Sequence, residues 1–280
     1  MKFEIIGSGG CVALPKPLCN CRICKEAREK GKPYLRRGCA LFLHDIELLI
    51  DTPEDITISL NESEIKSISN VMYSHLDPDH TLGFRVFEQL RLNWLEVFDA
   101  IECSNPINVY VMPHVMRDLQ EIKSKYGSFF DYYETTRNLI KRYDIERDIE
   151  IDNVTITLLQ IGYSTVFVFE NDNRKVVYAP CDVKPFVKDD ILQNADVLIV
   201  GDTFIGEILK DGYKLPINSK LRDELYSIDE VYEIKKKYNI KSLFITHIEE
   251  DWGKSYDDLI KIQGNYENLF FAYDGMIIEI

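Results

Sequence analysis

The sequence predicts an α/β protein in which two mixed β-sheets pack together with helices outside. Two observations carry this. Short apolar runs with strand character recur in both halves of the chain, and segments with helical spacing fall between them. Elements of that kind bury their apolar faces by stacking sheet on sheet under an outer layer of helices. No composition break divides the 280 residues and no internal repeat is present, so residues 1–280 read as a single domain, with 45% hydrophobic residues to fill its core.

Taken in order, residues 3–6 form a short apolar strand, and Gly7-Ser8-Gly9-Gly10 turns the backbone tightly at its end. No Lys-Ser/Thr follows and no helix opens there, so this is a turn bordering a site and not a phosphate-binding loop. Cys19-Asn20-Cys21-Arg22-Ile23-Cys24 comes next as a loop. Residues 39–43 and 47–50 read as strands joined by His44-Asp45-Ile46, with His44 at the surface. Asp51-Thr52-Pro53 ends the second strand and starts a helix through about residue 60, where a proline in the first turn loses no hydrogen bond. Val71-Met72-Tyr73 runs into Ser74-His75-Leu76-Asp77-Pro78-Asp79-His80, with Pro78 forbidding a helix at the strand's end. Phe84, Phe87, Leu90, Arg91 and Trp94 then follow helical spacing.

Residues 107–112 are a strand, and Pro113 opens a helix through about residue 126, with His114 exposed or capping in its first turn. Residues 127–147 are aromatic and charged without a clean period, and read as an insertion shaping a pocket or partner surface. Strands follow at 149–151, 154–160, 166–170 and 175–179, with hairpin turns at Asp152-Asn153 and Asn171-Asp172-Asn173. Residues 185–192 look helical, and 196–200 form a buried strand ending at Asp202-Thr203. Ser227-Ile228-Asp229-Glu230 is a capping box for a helix through about residue 238. Residues 242–246 are a strand that delivers His247. A helix over 256–262 and two strands across an Asp274-Gly275 turn close the chain.

The net charge of -14, from 33 Lys+Arg against 47 Asp+Glu, opposes broad nucleic-acid binding, which relies on basic surface. It leaves room for a small phosphate substrate, because bound divalent cations reverse the local potential. No run approaches the roughly 20 apolar residues of a membrane span, and the charged start is no secretory signal. A cytoplasmic protein without a membrane partner is expected. Seven cysteines, an odd number, oppose a disulfide framework. Cys11, Cys39, Cys103 and Cys181 are scattered, and for most of them a small buried hydrophobe is the reading.

Chemistry concentrates in two places. His75, Asp77, Asp79 and His80 put four candidate metal ligands into six residues, where a polar turn would need only one capping Asp. Imidazole and carboxylate are the usual donors of a hydrolytic metal centre. Two further strand ends add Cys181 or Asp182, and His247. Separately, Cys19, Cys21 and Cys24 have a spacing that wraps one Zn²⁺ from a single stretch, given a fourth ligand from elsewhere.

With these residues the sequence resembles the metallo-β-lactamase superfamily, whose first motif reads His-x-His-x-Asp-His. Here it reads His75-x-Asp77-x-Asp79-His80, followed by Gly83. Within that superfamily the chain is similar to the phosphoribosyl cyclic phosphodiesterases of phosphonate breakdown. The shared features are the opening strand and glycine turn, the Cys19-Cys21-Cys24 stretch, Tyr34-Arg36-Arg37, Thr246-His247 and Asp274-Gly275-Met276. The protein that helps make the cofactor pyrroloquinoline quinone is similar too.

The resemblance implies an αββα sandwich, with His75 and Asp77 on one metal and Asp79, His80 and His247 on a second. It places the bridging ligand at Cys181 or Asp182; Asp182 is chosen here because carboxylates bridge hard cations readily. Two departures stand out. Asp77 replaces the motif's second histidine, and a mid-chain histidine falls on Gln160, so the first site favours Mn²⁺ or Fe²⁺ over Zn²⁺, or stays single. In the cysteine site the expected fourth ligand, a histidine, is Glu250, which would complete a structural zinc of three thiolates and one carboxylate.

The function implied is a metal-dependent hydrolase, foremost a phosphodiesterase acting on a small cyclic phosphate ester, with Asp79 orienting a cation-activated hydroxide. The alternatives are a ribonuclease of the same fold, a cofactor-biosynthesis hydrolase or oxygenase, and a non-catalytic metal-binding descendant. A homodimer is compatible with each.

Overall fold

The structure, a computed structural model, describes residues 1–280. Fourteen strands build its two large sheets. From the first half of the chain come β1 (Lys2–Gly7), β2 (Ala40–Leu43), β3 (Leu48–Ile50), β4 (Asn70–Met72), β5 (Ile107–Val111) and β6 (Ile140–Asp144). From the second come β7 (Asp148–Ile151), β8 (Val154–Ile161), β9 (Ser164–Asn171) and β10 (Arg174–Ala179), then β11 (Val197–Val200), β12 (Ser242–Ile245), β13 (Leu269–Phe271) and β14 (Met276–Glu279). The first sheet runs β14-β1-β2-β3-β4-β5-β6 and the second β13-β12-β11-β10-β9-β8-β7. Each is mixed in the same way. Antiparallel pairs give way to a parallel run, β3 to β6 in one sheet and β10 to β13 in the other.

Period-two alternation sorts the strand residues between two apolar layers. Phe167 and Phe169 of β9 join the core shared by both sheets, where Phe169 meets Phe3 edge-on with ring centroids 5.4 Å apart. Val166 and Val168, between and beside them, point to the outer layer. Val176 and Tyr178 against Val177 and Ala179, and Val197 and Ile199 against Leu198 and Val200, repeat the pattern. The helices Ile228–Lys237 and Tyr256–Gln263 cover the second sheet with Val231 and Leu259, and each opens on a complete capping box, Ser227/Glu230 and Ser255/Asp258. Asp274 ties distant parts of the chain together, accepting from Ser8 N and Oγ and from Arg37 N at 2.7–2.9 Å.

Several expectations fail locally, each for a physical reason. Residues 185–192 are not a helix. Only a 3-10 turn forms, at Asp190–Leu192, where Asp189 spends its carboxylate on Ile191 N at 2.9 Å, a local bond that competes with a continuous helix. The helix after Pro113 stops at Gln120, where its apolar face of Val115, Met116 and Leu119 ends, and a small hairpin pairs Lys123–Ser124 with Gly127–Ser128. Pro78 starts a helical turn, Pro78–Thr81, instead of forbidding one. The helix after Pro53 begins only at Ile56. Residues between Ser124 and Thr136 line a groove of about 540 Å³, and the 127–147 stretch also supplies β6 and the buried rings of Phe130 and Tyr133.

Candidate metal centre

The parallel strands position the site. In the first sheet Ile50 and Met72 are register partners at the ends of β3 and β4, so Asp51-Thr52 and Tyr73-Ser74-His75 emerge side by side. In the second, Ala179, Val200 and Ile245 align across β10, β11 and β12, so Cys181-Asp182, Asp202 and His247 emerge together. Carboxyl ends of parallel strands are where open α/β sheets place their sites. Four of these residues hold left-handed backbone: Asp51 (φ 65), Asp182 (φ 53), Asp202 (φ 49) and His247 (φ 52). Asp and His visit that region more readily than most side chains, but it still costs each of them energy that the surroundings must supply.

The side chains form two adjacent sets. In one, His75 Nε2 lies 3.7 Å from Asp77 Oδ2 and 3.9 Å from Asp182 Oδ2. This nitrogen is buried and has no hydrogen-bond partner, a state costing about 1–3 kcal/mol unless something else takes its lone pair. In the other set, His247 Nε2 is 3.3 Å from Asp79 Oδ2 and 3.2 Å from His80 Nε2, and His80 Nε2 is 3.4 Å from Asp79. Cys181 lies between them. Its sulfur comes within ligand-sharing distance of His75 and His80 on one side and of Asp202 and His247 on the other. The donor atoms of each set are close enough to share one cation, and the orphaned His75 nitrogen fits that role.

Electrostatics separate the members. Burial, reinforced by the nearby His80, pushes the His75 imidazole down to about 2, keeping it neutral as a ligand must be. Burial works against charge on Asp79, but the hydrogen bond from His247 and the charges of His80 and His247 prevail and hold its carboxyl below the ordinary range. Burial likewise opposes a charged His247, yet Asp79, Glu249 and Asp202 raise it to about 9. Burial raises Asp77 and Asp202, with neighbouring carboxylates adding to the effect in both.

The chain matches no protein-family model and no curated protein. Solved structures do match over its whole length. A diphosphatase from the PhnP family is 18% identical, with 100% of this chain and 96% of that one covered at a TM-score of 0.72. Zinc-bound PqqB from Methylobacterium extorquens is 18% identical over 100% of both chains, at 0.74. The metallo-β-lactamase fold protein YhfI from Bacillus subtilis is 15% identical over 99% of both, at 0.62. This chain has the metallo-β-lactamase fold.

Within that fold the structure gathers His75, Asp77, Asp79, His80, Asp182 and His247 at one edge. It places Cys181, the residue not chosen from sequence, between the two halves, while Asp182 sits at the rim with a side chain 36% exposed. Gln160 is turned away and bonds Gly162 O at 2.9 Å. His44 pairs with Glu4 at 2.9 Å, and His114 approaches Tyr163 O at 3.2 Å, both outside the site. Sequence reasoning missed two residues. Asp202 has the same signal as the others, an acidic residue just beyond an apolar strand. Asp51 is fully buried and accepts from Ser74 N (2.8 Å), Ser74 Oγ (2.7 Å) and His80 Nδ1 (2.8 Å). Because Ser74 Oγ donates to Asp51, its lone pair accepts from His75 Nδ1 at 2.9 Å. One carboxylate therefore fixes both imidazoles with Nε2 turned to the site. The close approach of residues 52–53 explains Gly83. A Cβ there would stand 2.0 Å from Pro53 O, so only glycine lets Gly83 N reach Thr52 O while Thr52 N bonds His80 O, both at 2.7 Å.

The cysteine stretch is half loop and half helix, since Cys24 lies buried in the first turn of Arg22–Lys30. Arg28 pins the loop by donating to Cys19 O at 2.6 Å and Lys16 O at 2.9 Å. Glu250, fully buried, arrives from the turn after His247 and sets Oε1 at 3.8, 3.4 and 3.2 Å from the sulfurs of Cys19, Cys21 and Cys24. A tetrahedral zinc with Zn–S about 2.3 Å and Zn–O about 2.0 Å has S···O edges of about 3.5 Å. The four donors fit one zinc ion.

Proposed function

We propose that this protein is a metal-dependent hydrolase, a phosphodiesterase acting on a small cyclic phosphate ester in the cytoplasm. The observation that carries the reading is the pairing of His75-Asp77-Asp182 with Asp79-His80-His247 at one strand-end edge. The first set offers one imidazole and two carboxylates, which favours Mn²⁺ or Fe²⁺; the second offers two imidazoles and one carboxylate. A cation held there supplies an activated water near neutral pH and positive charge for the phosphoryl oxygens.

The chain's own groups do the rest. Asp51 and Ser74 hold the His80 and His75 rings in the tautomer that presents Nε2. Asp79, kept ionised by the hydrogen bond from His247, is placed to orient the attacking water. Tyr163 stands by Asp182, whose charge pushes the phenol up to about 12, so it keeps its proton as a donor at the cleft's edge. That cleft, of about 440 Å³ and lined by Tyr163, Asp182 and Lys184, is the size of small-molecule sites. A PhnP-family diphosphatase among the similar structures supports attack at phosphorus in a fold of this kind.

The test is hydrolysis of bis-nitrophenyl phosphate and of ribose cyclic phosphates by protein loaded separately with Mn²⁺, Fe²⁺ and Zn²⁺. Turnover that disappears in His80→Ala supports the proposal. Wild type no faster than His80→Ala with all three ions refutes it.

A further inference from the structure

Three thiolates and a carboxylate around zinc leave two negative charges unbalanced in a site where Glu250 is fully buried and Cys24 has no exposed surface. The structure provides a cation for this. Lys210 reaches in from a turn about forty residues upstream of Glu250 and donates to both of its oxygens, Oε1 at 2.5 Å and Oε2 at 2.7 Å. The same ammonium is 3.6 Å from Cys19 Sγ. Its approach is built into the backbone. Gly253, with φ 67, sits where a Cβ would come within 2.7 Å of the Lys210 Cα, so the Glu250–Trp252 turn and the Lys210–Gly212 turn touch only because position 253 is glycine.

We infer that Lys210 is the positioning residue that makes a carboxylate serviceable as the fourth zinc ligand of the cysteine site. Gripping both oxygens, it fixes the Glu250 rotamer so that Oε1 faces the three sulfurs. Its charge balances one of the two negative charges left over. Lys210 does not coordinate the ion, since an ammonium has three donors and no lone pair. Partners that orient a metal's ligands in this way are typically worth 10–100-fold in metal affinity. A small pocket of about 230 Å³ beside Cys21, Leu209, Lys210 and Gly253 opens on the cluster and gives chelators a path to it.

The experiment measures metal affinity at this site alone, using the full chain. Co²⁺ is bound first, and the thiolate-to-cobalt charge-transfer absorption that is missing in Cys19→Ser reports the cluster. Zn²⁺ displacement against a chelator then gives the affinity. Lys210→Met, which keeps the stem and removes the charge, is expected to weaken zinc binding about 10–100-fold. Lys210→Arg is expected to stay within a few-fold of wild type. In a Glu250→His background, where a neutral imidazole adds no negative charge, Lys210→Met should have little effect. This last arm separates charge compensation from general damage to the fold. Unchanged or tighter binding in Lys210→Met overturns the inference, as does an equal loss in Lys210→Arg or in the Glu250→His background.

Discussion

Replacing Asp51 with Asn is the most informative single change in this protein. The position is fully buried and its φ of 65 lies in a region that Asn adopts as readily as Asp, so neither volume nor backbone confounds the result. What changes is acceptor capacity. The carboxylate takes three hydrogen bonds at 2.7–2.8 Å, all from donors on Ser74 and His80. The amide oxygen can keep Ser74 N, and the Ser74 hydroxyl can rotate to accept. His80 Nδ1 then faces an N–H group. The imidazole answers by moving its proton to Nε2, which removes the lone pair that would face a cation. A buried bond to a charged acceptor contributes about 1.5–3 kcal/mol, so stability should fall by about that much. Cation affinity at the second set should fall about 10–100-fold. Denaturant melts of the metal-free protein give the first quantity, and Mn²⁺ or Zn²⁺ titration against a chelator gives the second. Lower stability with unchanged cation affinity would show that His80 does not ligate through Nε2, and the assignment of this set would fail.

Three further outcomes are expected. Gly83→Ala forces a Cβ to within 2.0 Å of Pro53 O, so the contact between residues 52–53 and the helical turn must open. Thermal melts should show a loss of about 1–3 kcal/mol, and a wild-type Tm would contradict the close approach. Cys19→Ser should lower zinc content by one ion per chain in elemental analysis while leaving the His/Asp sets able to bind; unchanged content would remove the cysteine site. Burial pushes the Asp274 carboxyl up to about 6 against the opposing hydrogen bonds from Ser8 and Arg37, above an unfolded value of about 3.9. The folded state therefore keeps a proton that the unfolded chain releases, and this contribution is full below about pH 4 and lost as pH rises through about 6. Relative to Asp274→Asn, the wild type should lose about 2 kcal/mol between pH 4 and 7, and a pH-independent difference would refute the shift.

What could be read in the sequence was whatever local spacing records. Alternating valine and phenylalanine in β9 and the short apolar runs of β10 and β11 gave the strands their place, because such patterns are properties of neighbours. The density of His75 to His80 marked the site for the same reason. What escaped depends on tertiary approach. Asp51 reads as one acidic residue before a proline, and nothing local says that Ser74 and His80 will converge on it. Lys210 has no signal at all, since its partners are Glu250 and Cys19. β6, Ile-Lys-Arg-Tyr-Asp, was lost because an edge strand keeps one face to solvent and needs few apolar residues. The helix expected at 185–192 is absent, and Phe186 and Val187 pack from an irregular segment against the second-sheet core.

One short loop, residues 246–252, serves both candidate metal sites, and this shapes what the cysteine site is for. His247 faces Asp79 and His80, while Glu250, three residues on, faces the three cysteines. Between them Ile248 N bonds Ser8 O at 2.9 Å, and Glu249 accepts Cys11 N and Val12 N at 2.8 and 3.1 Å. His247 holds a left-handed backbone that costs about 1–3 kcal/mol, so it persists only if its flanks are fixed. Before it, Thr246 N is fixed on Val200 O at 2.9 Å; after it, the glycine turn holds residues 248 and 249. Glu250 follows on that same side, anchored by Lys210 and, in the zinc-loaded protein, by the ion. A zinc ion held by the cysteines would therefore steady the His247 edge without touching it, by keeping that histidine in register with Asp79.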